Sequence, residues 1–194
     1  MIHKGLGVLV SLAFLFTQGC ELEVDPVRMF VTPGGEHYSY PRIEESLQSP
    51  TLAFDAMFNE TAIYYFGDPA LQSNKNKLLG FSDCNSLHHE NSARFAWQWF
   101  NERLEVYAYC YSNGERIERF VGNVDLNEFN HYRIDIKEDH YAFVLNDEPP
   151  VKIRRGHTCG RGVYYMLWPY FGGHIAAPHD VQVFIRMNQE AVIP

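Results

Sequence analysis

The chain of 194 residues has only four cysteines, Cys20, Cys84, Cys110 and Cys159, and no two of them form a CxxC pair, which argues against a structural zinc site. Positive charge is scarce: 16 Lys and Arg stand against 24 Asp and Glu, for a formal net charge of −8, and no basic patch is concentrated anywhere. Binding to a phosphate backbone wants a basic face, so no nucleic-acid partner is expected. Beyond an apolar stretch at residues 6–16, too short to span a bilayer comfortably as a helix, there is no further long apolar run. Helical periodicity never persists over three turns after it. Catalytic signatures are missing as well. There is no GxSxG for a nucleophilic serine, no glycine-rich phosphate loop, and no activating neighbour beside Cys84 in sequence.

At the N-terminus stands a short basic start, Met1-Ile2-His3-Lys4, and the stretch 6–16 has the length of a signal-peptide core. It ends in Phe16-Thr17-Gln18-Gly19-Cys20, and a small residue followed directly by cysteine resembles the lipobox of bacterial lipoproteins. That resemblance implies diacylglycerol on the Cys20 thiol, with residues 1–20 as the signal. The alternative is an ordinary secretory signal with Cys20 a plain thiol. Each buried acyl CH₂ adds about 0.8 kcal/mol, so several chains on one cysteine hold a protein firmly to a membrane. Residues 21–50 carry Pro26, Pro33-Gly34-Gly35, Pro41 and Pro50 amid scattered charge, and are expected to be a tether. Glu21, Glu23 and Asp25 resemble the signals that send some Gram-negative lipoproteins outward. The expected setting is the cell envelope, with a lipid anchor at the outer membrane or cell surface. In that oxidising compartment at most one disulfide is expected among Cys84, Cys110 and Cys159, with its pairing open.

Residues 51–190 read as one domain, long enough to bury a core. Short β-type runs at 52–58, 62–66, 77–81, 92–100, 104–111, 116–121, 132–137, 141–146, 163–170 and 180–187 are separated by turns such as Gly67-Asp68-Pro69 and Ser112-Asn113-Gly114. Side chains alternate within them. Ala93, Phe95, Trp97 and Trp99 share one face and Arg94 and Gln98 the other; Leu104, Val106, Ala108 and Cys110 oppose Glu105, Tyr107, Tyr109 and Tyr111. Period-two burial over many short strands predicts an all-β fold, a two-sheet antiparallel β-sandwich. The hairpin HYRIDIKEDHYAFVLNDE and the segment MLWPYFGGHIAAPHDVQVFI resemble strands of the concanavalin A-like lectins and glucanases. That resemblance implies a jelly roll and a carbohydrate ligand. It carries no catalytic residue across, because the E-x-D-x-(x)-E strand of those glucanases is absent: Glu102 and Glu105, like Glu115 and Glu118, are three apart and fall on opposite faces of a strand.

Two groups of residues are candidate sites. Aromatics make up 15 % of the chain, and Tyr107, Tyr109 and Tyr111 form a stripe away from the core. If the sheet order brings Arg94, Gln98 and Trp168 beside them, they suit the apolar face and hydroxyl rim of a sugar ring, unless another part of the chain covers them. The second group is polar: His88, His89 and Glu90 in one loop, His179 and Asp180 in another. If these loops meet, the groups can act as acid and base; otherwise they are a solvated turn and a local loop-fixing pair. The favoured reading is a non-catalytic, membrane-tethered binding module for glycans, with no catalytic residue, metal or cofactor assigned. The alternatives are a polysaccharide lyase or hydrolase using the His, Glu and Arg groups, and a structural component of a surface complex.

Overall fold

The computed structural model describes residues 25–156 and 164–188. The signal peptide, the Cys20 anchor and Cys159 lie outside the described residues. Twelve strands follow in order: β1 (Arg28–Thr32), β2 (Ser46–Leu47), β3 (Thr51–Phe58), β4 (Asn76–Ser82), β5 (Asn91–Phe100), β6 (Arg103–Ser112), β7 (Glu115–Val124), β8 (Asn130–Ile136), β9 (His140–Leu145), β10 (Val151–Arg154), β11 (Tyr164–Leu167) and β12 (Val181–Met187). Among the described residues, helix is confined to a 3-10 turn at Glu60–Ala62 and an α-turn at Pro69–Gln72. The strands form two antiparallel sheets, β1-β12-β3-β8-β9-β10 and β2-β11-β4-β5-β6-β7. The expected two-sheet sandwich is what folds.

Alternation decides which side of each strand is core. Phe54 and Tyr132 from the first sheet stack at 5.1 Å, and Phe95 from the second meets Tyr132 and Phe143 edge-on at 5.1 Å each. Phe54, Phe95, Phe143 and Tyr132 are fully buried, and each large apolar side chain so buried contributes about 1.5–3 kcal/mol. The tight β5–β6 and β6–β7 hairpins turn on residues with positive φ, Asn101 and Glu102 in the first and Asn113 and Gly114 in the second. Positive φ at both central positions is the geometry that matches strand twist, and Asn-Gly is its commonest sequence.

Three expectations are corrected. Residues 28–47 are not tether: β1 pairs with β12, β2 pairs with β11, and the Pro33–Gly35 turn clasps the loop before β12 through Gly35 N–H to Ala177 O at 2.8 Å. Residues 62–66 are not a strand but leave the Asn59-capped 3-10 turn, with Ala62 and Tyr64 packed inward. β10 follows Pro149-Pro150, where turn chemistry masked a four-residue strand.

A buried ionic seam joins the sheets. Asp83, at the end of β4 in the second sheet, accepts from Arg155 Nε at 2.6 Å and Nη2 at 3.0 Å, and from the Tyr141 hydroxyl of β9 at 2.6 Å. The Asp83 side chain is wholly buried. Cys110 is a buried free thiol in the core, while Cys84 is in a disulfide whose partner lies outside the described residues.

Candidate functional site

The outer face of the second sheet is built by register. Across β4, β5 and β6, Gly80 pairs with Arg94 and Arg94 with Tyr109; one step along, Ser92 pairs with Tyr111, and in the other direction Lys77 pairs with Ala96 and Ala96 with Tyr107. Period two puts all of these on one face, with Phe95, Trp97 and Val106 on the other. The pairing of β5 with β6 therefore brings Arg94, Gln98, Tyr107, Tyr109 and Tyr111, separate in sequence, to one face. Two members were missed. Lys77 precedes a register shift between Lys77 and Leu79 that breaks the alternation of β4, and Tyr170 joins from a loop through a backbone bridge to Lys77. The sequence signal available for the site was Gly80, since a glycine inside a strand often marks a close approach.

That approach is made by Arg94. A Cβ on Gly80 would lie 2.1 Å from Ala93 O and 2.7 Å from Arg94 Cγ, so only glycine leaves room for β5 and the arginine stem at this point. Arg94 is 8 % exposed, its Nε has no hydrogen-bond partner, and no carboxylate among the described residues pairs with it. Burial pulls its pKa down to about 10. Beside it, Lys77 Nζ donates to Lys75 O at 2.8 Å and Gly172 O at 2.9 Å, and lies 4.8 Å from the centre of the Tyr109 ring. Two of its three positions are thus spent on carbonyls, and Tyr109 stands by the third. Burial, then the Arg94 charge, brings the Lys77 pKa down to about 8. Tyr109 is pushed well above the ordinary phenol value by burial and then by Tyr111, so it keeps its proton.

The rest of the face is more settled. Gln98 accepts from Lys75 Nζ at 2.7 Å and donates to Glu105 at 2.6 Å, while the Tyr107 hydroxyl donates to the same Glu105 oxygen at 2.7 Å. Gln98 and Tyr107 therefore close one end of the face. At the other end, burial and then the charges of Arg94, His89 and Lys77 drop the His88 pKa to about 4, so its imidazole is neutral near pH 7. His89 rests on Tyr111, ring centres 5.2 Å apart.

Four candidates do not join. Trp168 is partly buried and stacks on Phe30 at 5.2 Å, which makes it core rather than binding surface. Glu90 is exposed in the turn before β5. His179 Nε2 contacts Thr61 O at 2.9 Å, and Asp180 accepts from Gly34 N–H at 2.9 Å, so both fix loops. Those loops lie at the far end of β5 from His88, because the hydroxyl of Tyr64, three residues after Thr61, accepts from Trp99 N–H. Ser92 to Trp99 spans about 23 Å at roughly 3.3 Å per residue, so the two histidine loops do not converge. Among the described residues no cluster of three or more His, Cys, Asp or Glu is placed to hold a metal.

No family model matches the chain, and no curated protein matches it in sequence. Solved structures do match in fold. Alginate lyase AlyC3 aligns with a TM-score of 0.59 at 9 % identity, over 82 % of this chain and 73 % of its own. The laminarinase catalytic domain of Thermotoga maritima aligns at 0.52 and 9 % identity, over 82 % and 76 %. A Bacteroides ovatus mixed-linkage glucan GH16 structure, in complex with a product, aligns at 0.51 and 8 % identity, over 86 % and 81 %. At identities this low the likeness shows the fold alone, a two-sheet jelly-roll sandwich. The expectation of a non-catalytic binding module is corrected here: the neighbours that share the fold are polysaccharide lyases and glycoside hydrolases, and the catalytic alternative fits them better.

Proposed function

We propose that the protein is a polysaccharide lyase that cleaves a polyuronate, a glycan carrying a carboxylate on its sugar rings, by β-elimination on the outer face of the second sheet. The observation that carries this reading is Arg94, a buried cation without a carboxylate partner, on a face lined by tyrosines. Leaving a charge buried and unpaired costs several kcal/mol, which a bound carboxylate offsets through charge-assisted, bidentate hydrogen bonds. AlyC3, the alginate lyase of the same fold, has a substrate of this chemical class.

The chemistry follows from what each group can do. Arg94 pairs with the uronate carboxylate and stabilises the charge that builds there as the α-proton, on C5, leaves. Lys77, neutral above about pH 8, accepts that proton on its free lone pair. The electron pair left at C5 forms the C4=C5 double bond as the C4–O bond breaks. Tyr109, which keeps its proton, protonates the departing glycosidic oxygen. A hydrolase fits the face less well, since a glycosidase needs two carboxylates about 5–9.5 Å apart. Glu105 is held by Gln98 and Tyr107. Glu118 pairs with Tyr109, four residues along from Glu105, or about 13 Å of strand.

The test is to incubate the full chain with alginate, polygalacturonate and hyaluronate and follow the ultraviolet absorbance of the conjugated product. Cleavage of any of them by wild type, lost in Arg94→Ala, is expected. Release of reducing ends without that absorbance means hydrolysis and rejects the lyase. An exported setting accords with the disulfide at Cys84 and with the Gly19-Cys20 sequence. A lipid anchor on Cys20 predicts that Cys20→Ser moves the protein out of the membrane fraction, and retention there would rule the anchor out.

A further inference from the structure

Residues 37–42 form a strip at the margin of the proposed catalytic face. Backbone bridges join Tyr38 to Tyr170 and Tyr170 to Lys77, so the strip is continuous with the site through a single residue. Ser39 turns inward, where its hydroxyl meets that of Thr32 at 2.6 Å. Its neighbours Tyr38 and Tyr40 point the other way and are 54 % and 43 % exposed. The Arg42 guanidinium lies 4.6 Å from the centre of the Tyr38 ring and 5.3 Å from that of Tyr40. Glu36 takes a long bond from the Tyr40 hydroxyl at 3.4 Å, and no carboxylate among the described residues pairs with Arg42. Tyr38 in turn meets Tyr170 edge-on at 5.1 Å, and His37 stacks on the same ring at 5.4 Å.

We propose that Tyr38, Tyr40 and Arg42 form an accessory subsite for a second uronate of the same polymer, some way along the chain from the residue held at Arg94. The proposal rests on the polyuronate reading and deepens it. Exposed tyrosine rings offer flat apolar area to the C–H face of a pyranose. A guanidinium resting on those rings is already oriented and loses little freedom when it pairs with a carboxylate. A neutral glycan would use the rings and leave the cation idle, whereas a polyuronate presents a carboxylate on each sugar and engages both. Because the strip lies beyond Tyr170 from Lys77, it touches no reacting atom. Its contribution is therefore binding energy available to long chains alone, which appears in KM rather than kcat.

The test uses the full chain and whichever of alginate, polygalacturonate or hyaluronate it cleaves, as long polymer and as a purified trisaccharide. Arg42→Glu and Tyr38→Ala are expected to raise KM for the polymer about tenfold, the effect of roughly 1.4 kcal/mol, with kcat and the trisaccharide KM unchanged. Tyr38→Phe, which keeps the ring, is expected to behave as wild type. Thermal midpoints of all three variants establish that the strip still folds. An unchanged polymer KM in a folded Arg42→Glu variant overturns the subsite and leaves the lyase standing. Equal increases in KM for polymer and trisaccharide also overturn it, because they place Arg42 at the reacting sugar. If wild type cleaves none of the three polymers, the polyuronate reading falls and the subsite falls with it.

Discussion

The outer faces of the two sheets carry similar residue types and treat them in opposite ways. On the first sheet the charges stand against opposite charges: Asp55 receives Arg186 at 2.5 Å and His131 at 3.0 Å, and Arg133 Nε, although it makes no hydrogen bond, forms an ion pair with Asp135 at 3.5 Å. On the second sheet Arg94 has no anion, Lys77 has only carbonyls and a ring, and three tyrosines surround them. Folding alone favours the first arrangement, because a buried charge without a partner is a net cost. A fold that tolerates the second has a use for it. On the proposed lyase reading, the contrast leaves structure to one face and chemistry to the other.

The sharpest way to break this contrast is Arg94→Met. Turnover of the polyuronate is expected to fall about 10³-fold, the scale of removing one transition-state charge stabiliser. The thermal midpoint is expected to rise, since an apolar chain of similar length replaces an unpaired buried cation. A variant that is both active and less stable would make Arg94 an ordinary structural residue. The next effect belongs to Lys77. With a pKa of about 8, its amine is protonated at lower pH and cannot accept a proton, so kcat is expected to fall about tenfold for each pH unit below that value. A pH profile flat from 6 to 9 would assign proton removal to another group.

Smaller still is Gly80→Ala. The added Cβ meets backbone, Ala93 O at 2.1 Å and Arg94 Cα at 2.5 Å, which cannot rotate away. Overpacking of this kind costs about 1–3 kcal/mol and should displace the arginine, so stability and turnover should fall together in melting and activity assays. Loss of stability with full turnover would show that the arginine does not depend on its glycine.

How much of this was legible in the sequence follows the same divide. Strong alternation sets Arg94 and Gln98 on one face of β5 and Tyr107, Tyr109 and Tyr111 on one face of β6, because period two leaves no other choice, but only the pairing of β5 with β6 makes these the same face. Lys77 escaped because the register shift beside it breaks that period, and Tyr170 because a loop residue has no period to read. β1 and β2 escaped for a third reason. They are short edge strands in a segment rich in proline and glycine, and only long-range pairing with β12 and β11 shows them to be strands. The histidine loops misled because sequence cannot say which ends of a strand two loops occupy; the Tyr64–Trp99 hydrogen bond is what sets them apart.

The smallest effect tests the structural half of the comparison. Burial pulls the Asp55 carboxyl upward, yet hydrogen bonds from Arg186, His131 and Asn188 together hold its pKa below the ordinary 3.8. A folded-state pKa below the unfolded one adds stability above the unfolded value, and that stability is lost as pH falls through the folded value. Asp55→Asn should therefore lower stability at neutral pH, by at most about 1 kcal/mol because the pair is partly solvated, and the two proteins should converge in strong acid. Turnover should not change at any pH, since Asp55 lies on the sheet opposite to Arg94. Denaturant melts across pH and parallel rate measurements read both halves. A loss of turnover without a loss of stability would mean that the paired face, too, has chemistry to do.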